Sequence, residues 1–271
     1  MAALLIYSTA IEPNTLEVTR HEIAIEGLPR EFEGFRIVQL SDIHLGFWCR
    51  QRDVERHVRL ANAENPDVVA LTGDFVSRLA RDIPGLGRRL GELRARHGVY
   101  AVLGNHDYWE DEDAVTRALR ENGIDVLFDE SREIRIGRGR LCIVGTDDMW
   151  GGSPDFDKAF EDIEEEDACI ALAHNPDAAT HIIGGLADLV LSGHTHGGLI
   201  VLPRIGALLS NSHLGRRVVS GLHEVNGMQV YISRGLARGT TLIPIRFRCR
   251  PEIAVFTLRS VELSEPDRSF P

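Results

Sequence analysis

The sequence is poor in cysteine and aromatic residues and contains no long hydrophobic run. Its 271 residues include four cysteines and 6% aromatic residues. No two cysteines have CxxC spacing, so we predict free thiols, which suit a reducing compartment. A transmembrane helix needs about 20 consecutive apolar residues. Because no run approaches that length, the sequence predicts no membrane-spanning helix.

Basic residues are also outnumbered by acidic ones. The chain has 30 Lys and Arg against 41 Asp and Glu, a formal net charge of −11. Nucleic-acid binding depends largely on Lys and Arg that neutralise phosphates, so we expect no nucleic-acid partner. A phosphate substrate would need local positive charge, which bound metal ions can supply.

The apolar start "MAALLIYSTA" is too short to span a bilayer. Two interpretations remain open: a first strand or frayed tail, or the remnant of a trimmed signal or membrane anchor within residues 1–12. The length suits one domain overall. We expect an N-terminal strand region at 1–34 that packs on a domain of residues 35–271.

The body of the chain alternates short apolar runs with amphipathic runs. The apolar runs predict strands at 35–40, 67–73, 99–104, 168–173 and 187–193. The amphipathic runs predict helices at about 51–64, 85–97 and 112–122. This βαβα rhythm favours a mainly parallel sheet covered by helices. Hairpin-like alternation at 125–148 and after 199 adds antiparallel strands, so we expect an α/β (α+β) fold with a mixed sheet or a pair of sheets.

Polar residues able to bind a ligand follow each predicted strand. They are Asp42, His44, Asp74, Asn105, His106, Asp107, His174, His194 and His196. Ligands of parallel α/β sheets bind outside the carboxyl ends of the strands, so these loops should converge on one edge. In Asp42-x-His44 and His194-x-His196 an extended backbone would point both side chains to the same side.

This set of side chains has the chemistry of a metal centre. Carboxylate, amide and imidazole ligands without thiolate suit Mn, Fe or Zn. The seven plausible ligands in this set, which leave out His106 and Asp107, exceed the three or four protein ligands that one zinc ion takes. Two divalent metal ions roughly 3.5–4 Å apart, bridged by a carboxylate, would use them all.

The motifs "DIH", "GD" at 73–74, "GNHD" at 104–107, His174 and "GHTH" at 193–196 closely resemble the calcineurin-like metallophosphoesterases. The resemblance spans about residues 35–200. It implies a four-layer α/β/β/α sandwich with two mixed β-sheets flanked by helices. It also implies a dinuclear metal-dependent phosphoester hydrolase.

The resemblance further implies individual roles. The first metal would be held by Asp42, His44, Asp74 and His196, and the second by Asp74, Asn105, His174 and His194. Asp74 would bridge the two ions, and His106 would be the catalytic histidine that hydrogen-bonds to the leaving-group oxygen. A metal-bridging hydroxide would attack the phosphorus of a phosphodiester or pyrophosphate.

One departure from the family's motifs, at Ser77, argues against two of its subgroups. The protein Ser/Thr phosphatases have an aspartate partner for the catalytic histidine, and the purple acid phosphatases have a tyrosine ligand, where this chain has Ser77.

The phrases "VQLSDIHLG", "LGNHDYW", "LSGHTHGG" and "RPEI" resemble bacterial membrane-associated phosphodiesterases and UDP-2,3-diacylglucosamine hydrolases. That subgroup implies a lipid-linked or nucleotide-sugar substrate. It also implies a bacterial protein in the cytoplasm or peripheral to the cytoplasmic membrane, with export left open. A phosphomonoesterase and a non-catalytic metal-binding scaffold remain alternatives.

Three residues are candidates for substrate contact: Arg78, Trp150 and Arg234. A surface position for the arginines and core packing for the tryptophan are the competing interpretations. The glycines at 193 and 197 would let the backbone turn close to the metals through their freedom at positive φ.

Overall fold

The computed structural model describes residues 2–46, 48–77, 83–164, 166–239 and 243–261. Two six-stranded sheets form its centre. The strands of the first sheet, in spatial order, are β1 (Glu17–Glu26), β14 (Glu252–Val261), β2 (Arg36–Leu40), β3 (Val68–Thr72), β4 (Val99–Val102) and β5 (Asp125–Val126). Adjacent strands in this sheet are parallel, except that β14 and β2 are antiparallel to each other.

The second sheet is also mixed. Its strands, in spatial order, are β12 (Gly221–Val225), β13 (Met228–Ile232), β9 (Leu189–Ser192), β8 (Ala168–Leu172), β7 (Gly139–Gly145) and β6 (Glu130–Ile136). The outer pairs β12/β13 and β6/β7 are antiparallel, while the inner pairs are parallel. A separate two-stranded hairpin consists of β10 (Val201–Leu202) and β11 (Gly206–Ala207).

The helices lie outside the sheets. They are α1 (Ala2–Ile6), α2 (Gln51–Ala63), α3 (Ile83–Leu90), α4 (Asn105–Arg120) and α5 (Phe156–Ala159). Helices α2, α3 and α4 cover the outer face of the first sheet, with Val54, Leu86 and Val115 packed in one buried cluster. Helix α5 and the short helical turn Pro176–Thr180 contribute to the cluster on the outer face of the second sheet.

A third buried cluster joins the two sheets face to face. It contains Ile37 and Val68 from the first sheet and Leu141, Ile170 and Leu189 from the second. The central strands β3, β8 and β9 are buried at every position, which explains why they are continuous apolar runs rather than alternating ones. The predicted four-layer α/β/β/α sandwich is therefore confirmed.

Several predicted elements have different bounds in the structure. Residues 2–14 are helical rather than a first strand or tail, because the Ala- and Leu-rich start favours helix and Thr9 Oγ1 donates a hydrogen bond to the Leu5 carbonyl. The helix predicted at 85–97 ends at Leu90, and the helix predicted from 112 begins at Asn105. No helix in the described ranges is long and apolar enough to cross a membrane. The division into residues 1–34 and 35–271 stays a prediction.

Candidate metal centre

All seven predicted metal ligands lie just beyond the carboxyl ends of central strands. The first sheet supplies Asp42 and His44 after β2, Asp74 after β3 and Asn105 after β4. The second sheet supplies His174 after β8 and His194 and His196 after β9. The site therefore lies where the ends of the two sheets meet, as the strand-end pattern predicts.

These side chains form two groups that can each hold a metal ion. The first group is Asp42, His44, Asp74 and His196, and the second is Asp74, His174 and His194. Within each group one ligand atom from every residue lies within 4.8 Å of the others. Asp74 belongs to both groups, so the arrangement is a candidate dinuclear site.

The geometry around Asp74 places one of its oxygens between two imidazoles. Its Oδ2 lies 3.2 Å from His44 Nε2 and 3.3 Å from His174 Nε2. Its Oδ1 accepts a hydrogen bond of 2.9 Å from the backbone N–H of His106. One carboxylate oxygen is thus held by the protein backbone while the other faces both groups.

The unpaired atoms of the site suit a cation. His174 Nδ1 lies 2.7 Å from the Thr72 carbonyl, to which it can only donate. In the neutral imidazole that a metal binds, Nε2 is therefore the atom with the lone pair, and it faces Asp74 Oδ2 and, at 3.2 Å, His194 Nδ1. The amide oxygen of Asn105 is buried and accepts no hydrogen bond within the described chain. Converging lone pairs and a buried, unpaired amide oxygen are costly in a protein interior unless a metal ion binds them.

The electrostatics of the site point the same way. Burial alone would raise the pKa of Asp74, but the His174 and His44 imidazoles outweigh it and hold the pKa well below its ordinary value. Burial would likewise lower the pKa of His174, but Asp74 and Asp42 raise it well above its ordinary value. Burial and the nearby His174 lower the pKa of His194 to about 4. The buried carboxylates therefore favour a positive charge close to them, which a bound metal ion can supply.

The backbone at the ligands is left-handed rather than extended. Five of the seven predicted ligands have positive φ angles between 47° and 69°, namely Asp42, His44, Asp74, His194 and His196. The expectation that extended backbone aligns each pair was therefore wrong, although each pair does lie in the site. Non-glycine residues in this region are uncommon and strained, and they are concentrated at functional sites.

The two glycines beside the second histidine pair act in different ways. Gly197 has a φ of +63°, as expected for a turn that favours glycine. Gly193 does not have a positive φ, and the expectation for it was wrong. A Cβ at Gly193 would lie 1.9 Å from Ser41 Oγ and 2.4 Å from Asp42 Oδ2. This glycine is needed because the Asp42 carboxylate packs directly against the backbone.

His106 and Asp107 follow Asn105 in the first turn of α4 but face different surroundings. The His106 ring is half-buried, lines a cavity beside the site, and lies 4.7 Å from the His44 ring and 4.9 Å from the Trp109 ring, centroid to centroid. Asp107 is buried and accepts hydrogen bonds from the backbone N–H groups of Phe75, Val76 and Gly104. Asp107 therefore fixes the loop that carries Asp74, while His106 faces the space where a substrate can enter.

That cavity has a volume of about 210 Å³ and opens on the first ligand group. Besides His44, His106 and His196, its walls include Trp48 and Leu209. Trp150 lies near the second group, with its ring 4.4 Å from the His194 ring and nearly perpendicular to it. The tryptophans at 48, 109 and 150 are all substantially exposed, so none is a core residue.

The predicted arginines have other surroundings. Arg78 lies outside the described residues. The Arg234 guanidinium forms ion pairs with Glu17 and Glu252 and does not line the cavity. Arg238, close by in sequence, does line it and pairs with Asp53 at 2.8 Å.

A further arginine supports the site from behind and was missed from the sequence. Arg246 is fully buried, and its guanidinium donates to the backbone carbonyls of Ala237, Arg234 and Gly235, with a longer contact of 3.5 Å to that of His196. The stretch "IPIRFRCR" around it alternates apolar and basic residues, so the local pattern indicates an outward-facing arginine. The loop that Arg246 holds donates from Ala237 N to the Asp42 carbonyl at 2.8 Å.

Comparison with known proteins identifies the family. A family model for calcineurin-like phosphoesterases matches residues 35–198. The uncharacterized metallophosphoesterase YkuE of Bacillus subtilis is 33% identical over 258 residues, which cover 94% of this chain and 89% of YkuE. Phosphodiesterase YaeI of Escherichia coli is 28% identical over 256 residues, which cover 93% of this chain and 92% of YaeI.

A solved structure is similar in fold. The NAD nucleotidase NadN of Haemophilus influenzae aligns with a TM-score of 0.52 at 15% identity, covering 75% of this chain and 45% of NadN. The family match includes every strand-end motif that contributes to the candidate dinuclear site. The chain therefore belongs to the calcineurin-like phosphoesterase family and is a metal-dependent phosphoester hydrolase.

Proposed function

We propose that the chain hydrolyses a phosphodiester or pyrophosphate bond with two divalent ions. The observation that carries this proposal is the Asp74 carboxylate, whose Oδ2 lies 3.2 Å and 3.3 Å from imidazole nitrogens of the two groups. The first ion would bind Asp42, His44, Asp74 and His196. The second would bind Asp74, Asn105, His174 and His194.

The protein contributes a fixed set of ligands and a positioned donor. When bound, two divalent ions lower the pKa of water and offset the negative charge of the phosphoryl oxygens; Mn, Zn and Fe suit these ligands. The chain holds Asp74 through the His106 N–H and His174 through the Thr72 carbonyl. Such contacts fix the ligands before substrate arrives, so little reorganisation is needed in the reaction.

His106 would assist the departure of the leaving group. Its backbone N–H is held by Asp74 Oδ1, and its ring is packed between those of His44 and Trp109 at the cavity wall. An imidazole so placed can donate a hydrogen bond or a proton to the oxygen on which negative charge develops. It is not needed to hold either ion.

The cavity favours a diester over a monoester. Arg238 is the one arginine or lysine among the described lining residues, and Asp53 already partly neutralises it. A phosphate monoester carries a charge of about −1.5 to −2 near pH 7, whereas a diester carries less and has a second organic substituent. Trp48, Leu199 and Leu209 offer an apolar wall for such a substituent. The relative named phosphodiesterase YaeI supports the same choice.

The finer identity of the substrate rests on the subgroup resemblance. We propose a lipid-linked or nucleotide-sugar phosphoester, with Trp150 as a contact on the side of the second group. Arg234 is left out of this proposal because Glu17 and Glu252 engage its guanidinium.

The proposal is tested by parallel rates on two model substrates. The full chain would be stripped of metal, restored with Mn, Zn or Mg, and assayed on bis-p-nitrophenyl phosphate and p-nitrophenyl phosphate. We expect metal-dependent cleavage with the diester faster. Faster cleavage of the monoester would replace the proposal with a phosphomonoesterase. Stoichiometric metal without cleavage of any phosphoester in a wider panel would replace it with a metal-binding scaffold.

A further inference from the structure

Residues 199–250 differ sharply in charge from the rest of the chain. This segment has eight arginines and one acidic residue, Glu224, for a formal charge of +7, whereas the whole chain carries −11. Five of the arginines are exposed, and within the described residues none of them forms an ion pair: Arg204, Arg216, Arg217, Arg248 and Arg250. The basic charge of this segment is therefore available to an external partner.

Large apolar side chains are exposed on the same part of the molecule. In and beside the β10/β11 hairpin, Ile205, Leu208 and Leu209 are between 38% and 65% exposed. Ile243 is 53% exposed. The N-terminal helical segment adds four more exposed residues: Leu4, Leu5, Ile6 and Ile11. So many exposed aliphatic residues exceed the scattered ones that a water-facing surface normally carries.

Backbone hydrogen bonds show that these segments are neighbours. Arg246 N donates to the Ser8 carbonyl at 2.8 Å, which joins residues 246–250 to the N-terminal helix. Val201 N donates to the Phe247 carbonyl at 2.9 Å, which joins the same stretch to the hairpin. The segments 2–11, 199–217 and 243–250 are thus linked through their backbones, and their exposed aliphatic and basic residues are here called the basic–apolar rim.

The basic–apolar rim borders the cavity of the metal centre. Leu199 and Leu209 are both cavity-lining residues, and Trp48 extends the apolar surface on another wall. The His196 carbonyl accepts a hydrogen bond from Cys249 Sγ at 3.1 Å, directly beneath the rim. A partner on the rim would therefore sit beside the cavity entrance.

We propose that the basic–apolar rim docks the protein on a lipid bilayer that contains anionic headgroups. Arginines next to exposed Leu and Ile are the composition of an interfacial surface, where apolar groups enter the headgroup region and basic groups pair with lipid phosphates. A nucleic acid would match the charge but would leave the aliphatic side chains in water. Docking places the cavity entrance at headgroup level, which, if the proposed function holds, supplies phosphoesters directly from the membrane.

The test is sedimentation of the full chain with vesicles. One set would be phosphatidylcholine alone and the other phosphatidylcholine mixed equally with phosphatidylglycerol. We expect binding to the anionic set that weakens as salt rises. Each basic residue near such a surface contributes about fivefold to partitioning. Arg204→Glu with Arg248→Glu should lower the partition coefficient more than tenfold, whereas Arg138→Glu, an exposed arginine of the β6/β7 turn, should not.

The apolar part has its own variant and control. Leu5→Ser with Ile205→Ser should reduce the vesicle binding that remains at high salt. The control is Ile183→Ser, at a residue that is 64% exposed on the outer side of the second sheet, and it should leave that binding unchanged. Absence of wild-type binding, equal binding to neutral vesicles, or equal losses in the controls would overturn the proposal. So would equally tight binding of an RNA or DNA oligonucleotide at the same salt.

Docking and catalysis can fail separately. The arginine variants should hydrolyse soluble bis-p-nitrophenyl phosphate at the wild-type rate, because neither residue lines the cavity. Vesicle binding without any turnover would contradict the proposed function and leave docking supported. Turnover without vesicle binding would contradict docking and leave the proposed function supported.

Discussion

The candidate metal centre and the basic–apolar rim lie side by side but are built in opposite ways. The ligands are largely buried, and five of them have left-handed backbone. The rim consists of Leu, Ile and Arg side chains that are exposed. The contrast indicates that the candidate metal site is fixed by the interior, whereas the rim consists of residues that can change without disturbing the fold.

Left-handed backbone at a non-glycine residue costs about 1–2 kcal/mol. Surrounding hydrogen bonds hold it in place. Asp42 N donates to the Gly73 carbonyl at 3.0 Å and His44 N to the Asp74 carbonyl at 2.9 Å, so the loops after β2 and β3 constrain each other. In the second sheet, Gly193 N donates to the His174 carbonyl at 2.9 Å, so the loops after β8 and β9 also constrain each other. The strain is thus distributed over paired loops.

The largest effect expected is from Asp74→Asn. The change removes the charge that both ligand groups share, so both ions should bind more weakly and turnover of bis-p-nitrophenyl phosphate should fall by about 1000-fold or more. Metal per chain by elemental analysis and initial rates would be measured together. Asp157→Asn, at an exposed carboxylate, is the matched control. Full metal content with full activity in Asp74→Asn would contradict the shared role.

His106→Gln should separate chemistry from metal binding. The metal content should stay at the wild-type value while kcat falls by about 100- to 10,000-fold, because general acid catalysis typically contributes that much. A diester with a better leaving group needs less help, so the loss should shrink as the leaving-group pKa falls. Loss of metal in step with turnover would instead make His106 a ligand.

His57 provides a pH test outside both regions. It is buried in α2, and burial lowers its pKa to about 4, with Asp53 opposing and Arg56 and Arg238 adding to the effect. The unfolded chain, with an ordinary pKa near 6.5, binds more protons than the folded one between these two values. The contribution of His57 to the free energy of unfolding should therefore be complete above pH 6.5 and fall by about 1.4 kcal/mol per pH unit as the pH drops toward 4.

Urea unfolding at pH 7 and pH 5 measures this dependence. His57→Gln should flatten the slope by the contribution of one proton, and His213→Gln, at an exposed histidine, should leave it unchanged. An unchanged slope in His57→Gln would assign the acid sensitivity to other groups.

The smallest effect expected is at Trp150. Trp150→Ala removes an exposed ring that lies 4.4 Å from the His194 ring, and aromatic contacts of this kind contribute about 0.5–1.5 kcal/mol. KM for a diester should rise by about 2- to 10-fold with kcat and metal content little changed, and Trp150→Phe should restore most of the loss. A fall in bound metal would show that the ring supports His194 rather than the substrate.

The candidate ligands can be picked out in the sequence because they follow continuous apolar strands, and a buried strand is visible in composition alone. Asp74 and His174 are found in this way. The backbone at these residues could not be predicted, since side-chain periodicity says nothing about φ at a polar position in a loop. Arg246 was missed for a related reason: its carbonyl partners come from a loop that only the tertiary fold brings near.

The place of β14 in the first sheet has a consequence for how the protein is made. Glu17 of β1 pairs with Glu252 of β14, and β14 also separates β1 from β2. During synthesis on the ribosome β1 emerges early, yet the strand it pairs with follows more than 200 residues later. Contacts of such sequence separation form slowly and leave strand edges open meanwhile. A nascent chain therefore presents an unpaired β1 edge until the more than 200 residues that separate β1 from β14 have been made.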